Sequence, residues 1–252
     1  MKLQASIFTL ASAYFASAQE STRPGYNCHP TCIQPTIPRN RQFNFGRHYA
    51  VLNLDLINGI VGGVEETAAG QAFISNTANW IDAVHALDPA PLSIFTRVYF
   101  ENSFQPEIGP DSPFGQVAGD LGTAATAPTK LHPAFTVDQA GAGNVVLQKT
   151  RYYAGAGNAL EQILSTQKID TVIMSGIRTS GVMLSTAYRL FDLDYNVYVI
   201  ANNTIESPPN DPDINANILE GILPKLPVDV ITIEQALAAL DRSGPAIYGR
   251  NN

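Results

Sequence analysis

Apolar positions along this chain alternate between short continuous runs and helical spacing. Tyr49-Ala50-Val51-Leu52-Asn53-Leu54-Asp55 is almost wholly apolar and ends in an acid, the pattern of a strand buried on both faces. Pro91 to Val98, Asn144 to Leu147, Thr171 to Gly176, Asn196 to Ala201 and Val228 to Ile231 have the same short, strand-like character. Between them apolar residues recur every three or four positions. Thr67 to Leu87 does so through Phe73, Ile74, Trp80, Ile81 and Val84, and Asn158 to Ser165, Gly181 to Leu193 and Asp213 to Leu223 follow suit. Strands alternating with helices predict an α/β fold: a three-layer sandwich with a mainly parallel sheet covered by helices on both faces.

Two stretches break the rhythm. Residues 19–47 carry Pro24, Pro30, Pro35 and Pro38 and read as a loosely packed N-terminal extension before a domain over 48–252. Residues 101–143 are rich in Gly, Pro and Thr, and a segment that long without periodicity suggests a functional loop or lid.

The first 18 residues change the picture of where the chain acts. Lys2, the apolar run Ile7 to Phe15 and the Ala16-Ser17-Ala18 triplet have the layout of a secretory leader with its cleavage site. The run is too short for a bilayer span, which takes ~20 residues. The mature chain is therefore expected to be secreted and extracellular. Cys28 and Cys32 are the only cysteines, in Asn27-Cys28-His29-Pro30-Thr31-Cys32. In an oxidising compartment they read as a local disulfide; a metal site with His29 would lack a second ligand cluster. Asn202-Asn203-Thr204 is a sequon, which makes Asn202 a candidate glycan acceptor. A net charge of −7 supplies no basic surplus for nucleic acid or an anionic membrane, so the expected partner is a small molecule drawn in by local cations. Nothing in the pattern calls for a metal or a cofactor.

In open α/β sheets the ligand site lies beyond the carboxyl ends of the strands. That rule selects Asp55, Arg97, Lys149, Arg178 and Asn202. Asp55, Lys149 and the block Ser175-Gly176-Ile177-Arg178-Thr179-Ser180-Gly181-Val182-Met183-Leu184-Ser185-Thr186-Ala187 together resemble the isochorismatase-like (cysteine hydrolase) family, in the same order over about residues 48–231. The last block is similar to the family's strand-to-helix turn, G-V-x-T-x-x-C-V-x-x-T-A. The resemblance implies an isochorismatase-like, Rossmann-like fold, a small-molecule hydrolase, and association into dimers or tetramers.

One departure governs the mechanism: Val182 stands where the turn motif has its cysteine. A thiolate at a helix N-terminus is stabilised by backbone N–H groups and the helix dipole, and valine offers no nucleophile. The resemblance extends to true isochorismatases, which lack the cysteine and cleave a vinyl ether to release pyruvate. On that model Asp55 and Lys149 are the catalytic candidates; the alternatives are a non-catalytic small-molecule-binding pseudoenzyme and a hydrolase of another small amide or ether. Asp55 would deliver a proton and Lys149 would bind a carboxylate or the developing charge. Arg97, Arg178 and Val182 are the candidate substrate contacts. The resemblance also implies a non-proline cis peptide before Arg178.

Overall fold

The computed structural model describes residues 33–109, 111–207 and 212–247. The leader pattern, Cys28, His29 and Cys32 lie outside the described residues. Six strands, β1 (Tyr49–Leu54), β2 (Leu92–Val98), β3 (Val145–Lys149), β4 (Thr171–Ile177), β5 (Asn196–Ile205) and β6 (Asp229–Ile231), form one sheet in the order β3-β2-β1-β4-β5-β6. Every pairing is parallel. β1 and β4 are central and wholly buried, which is why their sequences are apolar runs rather than alternations. The order reverses between them, and it is outside their carboxyl ends that a cleft is expected.

Helices cover both faces. Leu52, Leu54, Val172 and Met174 turn to one face, against α4 (Leu160–Thr166) and α5 (Leu184–Asp192). Tyr49, Val51 and Ile173 turn to the other, against Trp80 and Val84 of α2 (Ala68–His85) and Ala236, Ala239 and Leu240 of α7 (Ile233–Ser243). α7 was not among the expected elements, although Ile233, Ala236, Ala239 and Leu240 fall at helical spacing. Thr232 opens it with a capping box, its hydroxyl accepting from the Gln235 N–H while the Gln235 side chain accepts from the Thr232 N–H. Two short helices were likewise not foreseen, α1 (Asn58–Val61) and α3 (Pro113–Ala118). The expected helix from about 213 to 223 is α6 (Pro212–Ala216) continuing into π-type turns over Asn217–Ile222. No helix among the described residues is long and apolar enough to cross a membrane.

The N-terminal extension is not loosely packed over its described part. Phe45 is almost fully buried and meets Tyr49, Trp80 and Tyr198 ring to ring, while Ile37 joins the same core. Thr36 donates from its N–H to the Val230 carbonyl and accepts from the Val230 N–H at its hydroxyl, 2.9 and 3.0 Å. Prolines did exclude helix and central strand, but aromatic burial fixes the segment without either.

Candidate active site

Asp55 is the first residue past β1, and its backbone sits in the left-handed region at φ 58°. For a non-glycine residue that conformation is uncommon and persists only where its surroundings enforce it. Thr96 of β2 does so from the adjacent strand. The Asp55 N–H donates to Thr96 Oγ1 at 3.0 Å, and the same hydroxyl donates to Asp55 Oδ1 at 2.6 Å. The other carboxylate oxygen, Oδ2, lies 2.6 Å from Lys149 Nζ. Lys149 is the last residue of β3, two strands away from β1, and its aliphatic stem spans that distance. Both side chains are essentially buried, 1% exposed for Lys149 and 5% for Asp55.

Lys149 is fully committed. Its ammonium also donates to the carbonyls of Arg151 (3.0 Å) and Tyr152 (2.8 Å), so its three donors are used within the protein. The expectation that Lys149 itself binds a substrate carboxylate is corrected accordingly: it holds Asp55. Burial drives the pair toward neutrality from both sides. Desolvation pushes the Asp55 carboxyl above the ordinary carboxylate range, against the opposing pull of Lys149 and Thr96. Desolvation likewise holds the Lys149 ammonium below the ordinary lysine range, against the pull of Asp55.

β4 supplies the opposite wall. Gly176 passes so close to β1 that a Cβ there would stand 2.4 Å from the Leu54 carbonyl oxygen, so only glycine fits. One peptide further on, Ile177–Arg178 is cis, in agreement with the resemblance. The chain then winds into a π-type turn, Thr179–Met183, in which the Arg178 carbonyl accepts from the Gly181 and Met183 N–H groups. π-type turns are frequent at functional sites. The buried Glu206, at the end of β5, accepts from the Ser180 N–H at 2.8 Å and anchors the start of this turn. Glu206 and Thr96 are polar residues that the strand-end rule passed over: Glu206 directly follows β5, Thr96 lies inside β2, and neither resembles a motif position.

These elements enclose a cleft of about 80 Å³ lined by Asp55, Lys149, Arg178, Val182, Val98 and Ile177 on the sheet side and by Ile60 of α1. Phe114, Val117, Ala118 and Leu121, on α3 and just after it, and Tyr152 complete it. The irregular 101–143 segment therefore does form part of the site. Phe114 is held edge-on to Tyr152, ring centroids 5.6 Å apart, and lies beneath the Arg151 guanidinium at 5.4 Å. Arg151 also donates to the Glu107 carbonyl.

The sequence-based candidates thus divide. Asp55, Lys149, Arg178 and Val182 converge on one cleft. Arg97 does not. Thr96 and Val98 point to the site, and the two-residue period of the strand sends Arg97 elsewhere. Its guanidinium donates to the carbonyls of Thr129 (2.7 Å) and Ala124 (3.0 Å) and lies over the Tyr99 ring. Arg97 is a fastening for the 123–129 loop, which is the correction to its expected substrate contact. His132 pairs with Glu65 at 3.1 Å and stays outside the cleft. Asn202 lies within β5, partly buried, and its Oδ1 accepts from the Ile233 N–H that opens α7. The Arg178 guanidinium, in contrast, has no hydrogen-bond or ion-pair partner among the described residues. No group of three His, Cys, Asp or Glu side chains that would suit a metal gathers among them either.

The fold is that of a hydrolase family, and the sequence comparison names it. Residues 49–235 match the isochorismatase domain, and the chain belongs to the isochorismatase family. Solved structures agree on the fold. An isochorismatase family protein from Burkholderia thailandensis is 24% identical, with a TM-score of 0.58 over 79% of this chain and 98% of its own. A cysteine hydrolase from Pseudomonas syringae pv. phaseolicola is 15% identical, with a TM-score of 0.66 over 78% and 93%. N-carbamoylsarcosine amidase from Thermoplasma acidophilum is 18% identical, with a TM-score of 0.60 over 74% and 96%. No curated protein matches the chain. Within 49–235 the sequence contains no cysteine.

Proposed function

We propose that this protein is a hydrolase that cleaves a small carboxylate-bearing substrate such as isochorismate by general-acid chemistry at Asp55, without a cysteine nucleophile. The observation that carries the reading is the buried Asp55 carboxyl, raised toward protonation by desolvation, in a cleft whose nucleophile position holds Val182. Covalent catalysis needs an activated nucleophile, and the apolar wall around Val182 offers none. Vinyl ether hydrolysis needs only a proton and water. Asp55 gives its proton to the terminal enol carbon, water adds to the resulting oxocarbenium carbon and returns a proton to the Asp55 carboxylate, and the hemiketal collapses to pyruvate and an alcohol, its hydroxyl proton passing to the departing oxygen. The carboxylate left on Asp55, steadied by Lys149, favours the cationic intermediate electrostatically. Arg178 supplies the free cation for the substrate's carboxylate. With residues 1–18 read as a leader, the reaction takes place outside the cell.

The 2.6 Å contact with Lys149 favours a second reading, in which Asp55 is a carboxylate that takes a proton from water and the substrate is another small amide or ether. Incubating the purified protein with isochorismate and following pyruvate release tests the first reading. Pyruvate at the uncatalysed rate defeats it. The pH dependence separates the two: an acid loses activity as pH rises through its pKa, and a base gains it.

A further inference from the structure

The geometry around Asp55 points to a residue that neither the strand-end rule nor the turn motif selects. We propose that Thr96 is the positioning residue of the site, whose one hydroxyl fixes both the backbone and the carboxylate of Asp55 and reserves Oδ2 for proton exchange. This rests on Asp55 being the reacting group.

Thr96 is fully buried on β2, so no solvent competes for its hydroxyl. Its oxygen accepts from the Asp55 N–H at 3.0 Å, a bond available only because Asp55 leaves the strand at φ 58°. At 2.6 Å from Oδ1 a hydrogen must lie between the two oxygens, and the hydroxyl supplies it. Oδ1 is then held as an acceptor, and the proton that Asp55 exchanges is carried on Oδ2, beside Lys149 Nζ. The hydroxyl thus sets the rotamer of the carboxyl, the oxygen that reacts and part of its acidity. The charged or titratable groups facing the cleft around Asp55 are Lys149 from β3, Arg178 from the end of β4 and Tyr152 from the segment after β3. Among the described residues the hydrogen bond to Oδ1 comes from the Thr96 hydroxyl, while the ion pair with Lys149 is made at Oδ2.

A merely structural threonine would satisfy the Asp55 N–H and do nothing to the carboxyl. Thr96→Val keeps the shape and removes the hydroxyl, whereas Thr96→Ser keeps the hydroxyl. The readout is the titration of the Asp55 carboxyl carbon by NMR in protein carrying ¹³C-labelled aspartate, assigned with Asp55→Asn. A hydrogen bond to a carboxylate lowers its pKa, so losing it should raise the Asp55 midpoint by about one pH unit in Thr96→Val. Thr96→Ser should titrate like the parent. If isochorismate is turned over, kcat in Thr96→Val should also fall ~10- to 100-fold with KM little changed, since positioning and not binding is lost. Should Thr96→Val fail to fold, Thr96→Ala is read against Thr96→Ser in the same way. A folded variant without the hydroxyl whose Asp55 titrates at the parent's midpoint overturns the proposal. Because the titration needs no turnover, failure of the parent to release pyruvate defeats the isochorismate reading while the fate of Thr96 is still decided.

Discussion

Breaking the Asp55–Lys149 pair by halves should be far worse than removing it whole. Both partners are buried, 2.6 Å apart, and each is driven toward its neutral form by desolvation. Removing one partner of such a pair strands a buried charge and typically costs ~3–5 kcal/mol. Replacing both by apolar groups of similar volume is often neutral or stabilising by ~1–4 kcal/mol. For a domain of this size ~1 kcal/mol moves Tm by about 2–4 °C. Asp55→Asn and Lys149→Met should therefore each lower Tm by roughly 6–20 °C at pH 7, on the same scaling. The double variant Asp55→Leu/Lys149→Met should melt near the parent or above it. The pH dependence has opposite signs in the two single variants. In Asp55→Asn the remaining lysine has a folded pKa below its unfolded value, so the unfolded chain binds more protons between the two and stability rises with pH. In Lys149→Met the remaining acid has a folded pKa above its unfolded value, so stability is present below the unfolded pKa and is lost as pH rises through the folded one. Thermal unfolding of the four proteins between pH 5 and 10 reads all of this. Single variants as stable as the parent, or a double variant as unstable as the sum of the singles, would refute the account of the pair.

Asp55→Asn should reduce turnover by at least ~10²–10⁴-fold, because an amide cannot deliver the proton. In the parent, activity should fall as pH rises through the elevated Asp55 pKa; a steady-state pH profile checks both points. Arg178→Gln should weaken binding of a small carboxylate by about 10-fold or more, the scale of a lost charge-assisted hydrogen bond, with Tm unchanged. Calorimetric titration with isochorismate or pyruvate would show it. Gly176→Ala should destabilise by ~1–3 kcal/mol, since the new Cβ would meet the Leu54 carbonyl at 2.4 Å on a backbone that cannot withdraw; a chemical denaturation midpoint tests it.

The sheet was legible because buried parallel strands leave an unmistakable mark, and the apolar runs at 49–54, 92–98 and 171–177 are strands within a residue or two of expectation. What the runs do not encode is the direction of a side chain at a strand's last residue. Lys149 was expected just after its strand and is instead the strand's final residue, reaching across β2. Arg97 looked equivalent by position, yet the pleat turns it toward the 123–129 loop. Thr96 was invisible because a threonine in a β-rich run looks like any other; only the left-handed turn at Asp55 gives its hydroxyl a task. α7 is a different case, because its signals were present and passed over: Ile233, Ala236, Ala239 and Leu240 recur at helical spacing, and Thr232 with Gln235 is the start signal of a capping box.

β6 is a short strand at one end of an otherwise two-sided sheet, and such a margin offers its main chain to any passing strand. Here Thr36 occupies the Val230 N–H and carbonyl, and Gln34 meets Glu220 alongside. The segment before the domain is thus a selvedge that covers the outward-facing main chain of β6. A chain trimmed to the boundaries of the matched domain, beginning at residue 49, would keep the residues that line the cleft but lose Phe45 and Ile37 from the core and leave the Val230 N–H and carbonyl uncovered.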